Sequence, residues 1–305
     1  MEGPAFWIGF NVFVLAMIAM DFFLAQRKPH AIKFREAMWW TAFWVGLAAA
    51  FAVLVYIWRG PQKTLEFATG YLIEESLSVD NLFVFLVLFG YFKVPEQYQR
   101  KVLTLGILGA LVMRGLFILA GVGLINRFHW IIYVFGVFLI YTGFTLLRKS
   151  DEDVEPEKNI VLRLARRWIP ITSDYEGDRF FVKRDTRTFA TPLFAVLLVV
   201  ETTDVVFALD SIPAILAISK DPFIVYTSNV FAILGLRALY FALAGMMQVF
   251  HYLHYGLAVI LMFIGVKMLL SARYEIPIFV ALGVVILVLA ISVGASVAFP
   301  AKVKA

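Results

Sequence analysis

Five carboxylates stand where a carboxylate is costly: Glu74 and Asp80 in one apolar run, and Glu201, Asp204 and Asp210 in another. An ionised acid in hydrocarbon costs about 2.5–3.5 kcal/mol on insertion scales, so intramembrane acids persist where they bind, conduct or pair. Glu201 and Asp204 are three residues apart and share a helix face. Glu74 to Asp80 and Asp204 to Asp210 are each six apart and converge only across a local break. Pro213, in Ser211-Ile212-Pro213, is placed to supply one, because proline removes a backbone donor and crowds the preceding turn. Ser78, Asn81, Thr202 and Ser211 add neutral oxygens beside the acids, and Asp21 adds a further acid from the first apolar run. Glu75 adjoins Glu74 but points elsewhere on the helix.

With Cys 0, thiolate metal sites, disulfides and cysteine nucleophiles are excluded. Hard oxygen donors without thiolate suit Mg²⁺, Ca²⁺ or Mn²⁺ better than Cu⁺ or Zn²⁺. The same carboxylates can carry protons in place of metal, which offers a coupling mechanism. A structural alternative pairs them with Arg114 and Arg237 as buried ion pairs that fix packing. Two arginines against five acids leave three to be protonated, solvated or metal-bound. The histidines read as interfacial or loop residues, Met246-Met247 as packing, and Lys267 as snorkelling or paired. Neither an HExxH zinc motif nor a nucleophile–base pair is evident in the apolar runs, so neither an enzyme nor an organic cofactor is expected.

The elements that position these groups follow from composition. Soluble domains carry roughly 45–50% apolar and about 25% charged residues, whereas this chain has 62% hydrophobic and 16% charged. The excess must face lipid. Apolar runs at about 5–26, 37–58, 65–91, 102–124, 130–148, 189–219, 225–249, 255–271 and 276–298 predict an all-α polytopic membrane protein of about nine transmembrane helices. The first run is long enough to span and lacks a positive n-region, so it reads as a retained helix. Trp7, Trp39, Trp40, Trp58 and Trp130 fall near helix ends, where an amphipathic ring suits the headgroup level.

Lysine and arginine set the orientation. With the N-terminus outside, the loops near 27–35, 93–101 and 148–187 and the tail at 302–304 hold most of the Lys+Arg 27. The opposite face holds only Arg59, Lys63, Arg127, Lys220 and Arg273. The C-terminus is then cytoplasmic, and the net charge of +5 needs no nucleic-acid partner. The one extended polar segment, Lys149–Thr188, contains an amphipathic stretch at 161–168 suited to the inner membrane surface, and a short hairpin is expected across 179–189.

An internal repeat links the halves. Met113-Arg114-Gly115-Leu116-Phe117 returns as Leu236-Arg237-Ala238-Leu239-Tyr240, Phe128-His129-Trp130 as Phe250-His251-Tyr252, and Gly143-Phe144-Thr145-Leu146-Leu147 as Gly265-Val266-Lys267-Met268-Leu269, at offsets of 123, 122 and 122. Each copy holds three helices, an odd number, so the second enters the membrane inverted, as in many secondary transporters. The predicted organisation is two N-terminal helices (1–64), a first repeat (65–148), the cytoplasmic loop (149–188), a second repeat (189–271), and a last helix with its tail (272–305). The acid-bearing helices open the two repeats and should meet near the symmetry axis at mid-depth.

Gly70-Tyr71-Leu72-Ile73-Glu74 leading to Ser78-Val79-Asp80-Asn81, then Glu201 through Pro213-Ala214, then Asn229 through Arg237, resemble the TerC family of integral membrane proteins, named for tellurium resistance, and within it the Alx branch. The resemblance covers almost the whole chain. It implies a multi-pass protein of the bacterial inner membrane that exports divalent cations, chiefly Mn²⁺, from the cytoplasm through an acidic intramembrane site. The family's acids fall on Glu74, Asp80, Glu201, Asp204 and Asp210. Asp21 also fits, and Glu75 occupies a position that varies. Asn81, Ser211, Arg114 and Arg237 stand as further ligands or ion-pair partners. The leading expectation is a secondary Mn²⁺ exporter working by alternating access in exchange for protons, with Ca²⁺ or Mg²⁺ as other cargoes. Its partners are the bilayer, the cation and the proton, and no protein partner is specified. The rival expectation is a membrane scaffold or assembly factor of the metal or tellurite stress response, acting through 149–188.

Overall fold

The computed structural model describes residues 4–26, 34–128, 130–148, 162–164, 169–172, 174–184, 187–244, 252–271, 273–274 and 276–298. Its elements are α1 (Pro4–Gln26), α2 (Phe34–Tyr91), α3 (Glu96–Arg127), α4 (Ile131–Arg148), β1 (Phe181–Arg184), β2 (Arg187–Ala190), α5 (Pro192–Leu216), α6 (Pro222–Ala244), α7 (Leu253–Leu270) and α8 (Ile278–Ala298). Among the described residues, 6 helices are long and apolar enough to cross a membrane, and shorter apolar helices occupy Phe6–Met20 and Ile131–Leu147.

α2 is a hairpin of two helical arms that hinge on one residue. Gly60 adopts φ 81°, ψ 177°, a conformation that side chains with a Cβ rarely take. Pro61 then opens the second arm, where its missing N–H leaves no helical bond unmade. The rings of Phe51 and Phe67 lie 5.3 Å apart, whereas sixteen residues of unbroken helix would separate them by about 24 Å. The loop expected near 59–64 is therefore a reversal at Gly60. With α2 counted as two arms, each of the nine apolar runs corresponds to one helical segment of the described residues.

Two other boundaries differ from expectation. α3 starts at Glu96 directly after Pro95, because its first turns are polar and project beyond the apolar run. α5 is not broken at Pro213 but continues through it to Leu216, with the Ala217 amide donating to the Pro213 carbonyl at 3.0 Å. Proline this close to a helix end forfeits one bond and does not reverse the chain.

The polar segment forms the expected hairpin, with β1 antiparallel to β2 and Val182 opposite Phe189. It is tied to the α2–α3 connection. Lys101 Nζ donates to Asp178 Oδ2 at 2.8 Å, and the Tyr175 hydroxyl donates to the Phe92 carbonyl at 2.7 Å. The Lys101 ammonium holds the exposed Asp178 carboxyl below the usual carboxylate range. The predicted amphipathic stretch at 161–168 lies, apart from residues 162–164, outside the described residues.

The helix packing maps onto itself when the halves are exchanged. The second arm of α2, α3 and α4 correspond to α5, α6 and α7. Exchange turns the α2–α6 interface into the α5–α3 interface and returns α2–α5, α3–α6 and α4–α7 to themselves, and all five are present. Single contacts obey the same rule. Gly136 crosses Gly265, and Gly143 crosses Ala258, the two pairs that an offset of 122 interconverts. α1 docks on α6 through aromatic contacts, Trp7 to Phe223 at 5.5 Å among them, and through the Tyr226 hydroxyl, which donates to Asn11 Oδ1 at 2.8 Å. The second arm of α2 and α5, which carry the acids, are in contact as the repeat requires.

Candidate acidic centre

Glycines let the acid-bearing helices approach. A Cβ on Gly70 would lie 2.9 Å from Ser228 Oγ and 3.5 Å from the Ile215 side chain, so α2, α5 and α6 meet one turn before Glu74. On α3, a Cβ on Gly106 would lie 3.2 Å from Val200, and Gly109 abuts the Glu201 carboxylate directly. This close approach of α3 to α5 brings Arg114 to Asp204.

Arg114 is 1% exposed and is the centre of the cluster. Its Nη2 donates to Asp204 Oδ1 at 2.9 Å and its Nε to Asp204 Oδ2 at 3.3 Å. Its Nη1 forms an ion pair with Glu74 Oε1. Glu74 is fully buried and Asp204 nearly so. The two acids stand on different halves, Glu74 on α2 and Asp204 on α5, so one guanidinium bridges the acid-bearing helices of the two halves. Glu201 stands close enough for its charge to interact with that of Asp204. Thus Glu74, Glu201 and Asp204 share one neighbourhood with Arg114.

The remaining residues distribute around it. Asp210 accepts a hydrogen bond from the Thr142 hydroxyl of α4 at 3.1 Å. Glu75 lies on another face, hydrogen-bonded to Tyr71 and near Gly235 of α6. Asn81 and Ser211 are buried. Asp80 and Asp21 lie on α2 and α1, and their side chains fall outside the described residues. Arg237 lines a small cavity, about 20 Å³, together with Asp204, Gly106, Ala110 and Leu236. That is room for about one water. The cavity lies toward the start of α3, on the side of the α2–α3 connection.

The opposite end is closed by ion pairs. Arg59 meets Asp221 at 3.1 Å, Lys63 meets Glu66 at 2.7 Å, and the Ser219 hydroxyl donates to Glu66 at 2.5 Å. These tie the start of the second arm of α2 to the α5–α6 connection.

Among the described residues, no three Asp, Glu or His side chains form a ready metal cage. The guanidinium between Glu74 and Asp204 occupies the space such a cage would need. Several buried oxygens nevertheless lack a hydrogen-bond partner among the described residues: Ser78 Oγ, Ser211 Oγ and Asn229 Oδ1, with Asn229 Nδ2 beside them. Asn229 is fully buried and was no site candidate in the sequence. It shares the α6 face of Leu236, seven residues on. The signal was the polar triplet Thr227-Ser228-Asn229 in an apolar helix. Gly109 and Thr142 carried no signal, because their importance lies in what they touch.

Comparison with known proteins adds the family. Residues 59–304 match the model of the "Integral membrane protein TerC family". The chain is 50% identical over 293 residues to the Myxococcus xanthus "Uncharacterized membrane protein STKORF319", covering 96% of this chain and 92% of that one. It is 48% identical over 293 residues to the Escherichia coli K12 "Putative membrane-bound redox modulator Alx", covering 92% and 91%. It is 39% identical over 291 residues to a Rickettsia bellii "Uncharacterized membrane protein", covering 95% and 96%. No solved structure matches the chain.

Proposed function

Since the chain belongs to the TerC family of integral membrane proteins, we propose that it is a secondary transporter that exports divalent metal cations, Mn²⁺ first among them, from the bacterial cytoplasm in exchange for protons. The observation that carries this reading is the buried cluster of Glu74, Glu201 and Asp204, two of which the Arg114 guanidinium bridges. A divalent ion brings two charges into a region of low dielectric, and two or more carboxylates are needed to offset its lost hydration. When the cargo leaves, protons take its place on the carboxylates that Arg114 does not hold, Glu201 first. Ser78, Ser211 and Asn229 supply buried neutral oxygens free to complete a hard-donor shell.

Charge distribution supports export. With the loops rich in lysine and arginine inside, the cavity beside Asp204 opens from the cytoplasmic half of α3, and the Arg59–Asp221 ion pair and the Ser219–Glu66 hydrogen bond close the outer end. Cargo would therefore reach Asp204 from the inside. The relatives' name, redox modulator, suggests a second effect. A chain with Cys 0 cannot exchange thiols for disulfides, and movement of a redox-active cation such as Mn²⁺ would be one route to a redox effect. Equilibrium binding of Mn²⁺ to the purified protein tests the reading. Binding at pH 8 that weakens steadily toward pH 5 is expected, and no binding at either pH would overturn it.

A further inference from the structure

We infer that Arg114 is a tethered counter-cation for the cargo site, one that holds Glu74 and Asp204 while the site is empty and that the arriving divalent cation must displace. This rests on the transporter reading and adds to it the residue that governs return of the unloaded carrier.

The geometry is that of a bridge between halves. Nε and Nη2 take the two oxygens of Asp204 as a fork, and Nη1 takes Glu74. A packing pair would match one arginine to one acid. Here one guanidinium spans two buried acids, one on α2 and one on α5. Taken by themselves, two carboxylates and one guanidinium carry a net charge of −1, whereas two carboxylates and a divalent cation carry none. Two uncompensated carboxylates would oppose passage of the empty site through a low-dielectric conformation. A resident guanidinium halves that opposition without leaving the protein.

Displacement has a direction. Helical side chains lean toward the helix N-terminus, and the turns before Arg114 on that face present Ala110 and Gly106, which line the cavity beside Asp204. Small residues there leave the adjoining space open to the withdrawing side chain. Arginine rather than lysine suits the role, because its planar fork bonds two carboxylates at once, whereas an ammonium is a point charge.

The test uses full-length protein in liposomes and two assays. Net Mn²⁺ efflux into metal-free buffer needs the empty carrier to return, whereas isotopic Mn²⁺ exchange with metal on both sides does not. For Arg114→Gln, the expected result is loss of net efflux with retention of exchange and tighter Mn²⁺ binding. Arg114→Lys should keep part of the net efflux. If Arg114→Gln keeps wild-type net efflux, or if efflux and exchange fall together in both variants, the inference is overturned while the transporter reading stands. A wild type silent in both assays would overturn the transporter reading and the inference with it. If neither variant folds, the wild type decides. Mn²⁺ should speed modification of Arg114 by a small dicarbonyl reagent, read by mass spectrometry, because the guanidinium is released from its carboxylates. Equal or slower modification with Mn²⁺ bound would overturn the inference.

Discussion

Gly136 of α4 and Gly265 of α7 cross backbone to backbone: a Cβ on Gly136 would lie 2.9 Å from the Gly265 carbonyl oxygen, and one on Gly265 would lie 2.6 Å from the Gly136 carbonyl oxygen. Backbone cannot yield as a side-chain tip can. Gly136→Ala or Gly265→Ala should therefore destabilise the fold by about 1–3 kcal/mol, the usual cost of overpacking. Gly123→Ala, with nothing within 4 Å of its Cβ, should be neutral or should stabilise by up to about 1 kcal/mol through helix propensity. Thermal unfolding midpoints in detergent decide the matter, and equal midpoints for all three would show that the α4–α7 crossing is not a packing constraint.

Gly109 is a different case, because its neighbour is the flexible end of Glu201. Gly109→Ala should leave the unfolding midpoint near that of the wild type while pushing the Glu201 carboxylate away from Asp204. Weaker Mn²⁺ binding in a protein of unchanged stability is the expected outcome. Unchanged binding would remove Glu201 from the cargo site.

The two aspartates of α5 should separate on stability. Asp204→Asn leaves Arg114 short of one buried partner, and breaking such a pair costs about 3–5 kcal/mol. Asp210→Asn can still accept the Thr142 hydrogen bond through its amide oxygen and should shift stability by no more than about 0.5 kcal/mol. Chemical denaturation of both variants side by side measures the difference. Equal losses would mean that the bond from Arg114 to Asp204 contributes nothing net to the fold.

Membrane orientation offers an independent check. Reporter fusions at residue 160 and at the C-terminus should both report cytoplasm, as the clustering of lysine and arginine requires. Opposite reports from the two positions would require an odd number of spans between them, and an external report at residue 160 would put the cavity beside Asp204 on the wrong side for export.

The nine helical segments were legible because each is a long apolar window, and the acids stood out because few other residues in those windows are charged, Arg114, Arg237 and Lys267 among them. The 179–189 hairpin was legible from its flanking polar and aromatic residues. Other features were not. A reversal at Gly60 alone looks, in sequence, like an ordinary short loop, and Pro213 looks like a break although it lies within the last turn of α5. Which acid meets which arginine was hidden for a physical reason. In helices apolar on nearly every side, the hydrophobic pattern says little about rotational phase, and small residues such as Gly70, Gly106 and Gly109 set the interhelical contacts instead. Arg114 was visible as an ion-pair partner, but its bridging of Glu74 and Asp204 depends on those approaches.

If the centre around Glu74, Arg114 and Asp204 carries a divalent cation, reconstituted liposomes should show Mn²⁺ flux. Wild-type protein should move Mn²⁺ across the membrane at a rate that rises with an opposing proton gradient. Glu201→Gln, which leaves the bonds from Arg114 to Asp204 in place, should abolish that movement. Wild-type liposomes no more permeable to Mn²⁺ than protein-free ones, or a Glu201→Gln variant that transports at the wild-type rate, would contradict this reading.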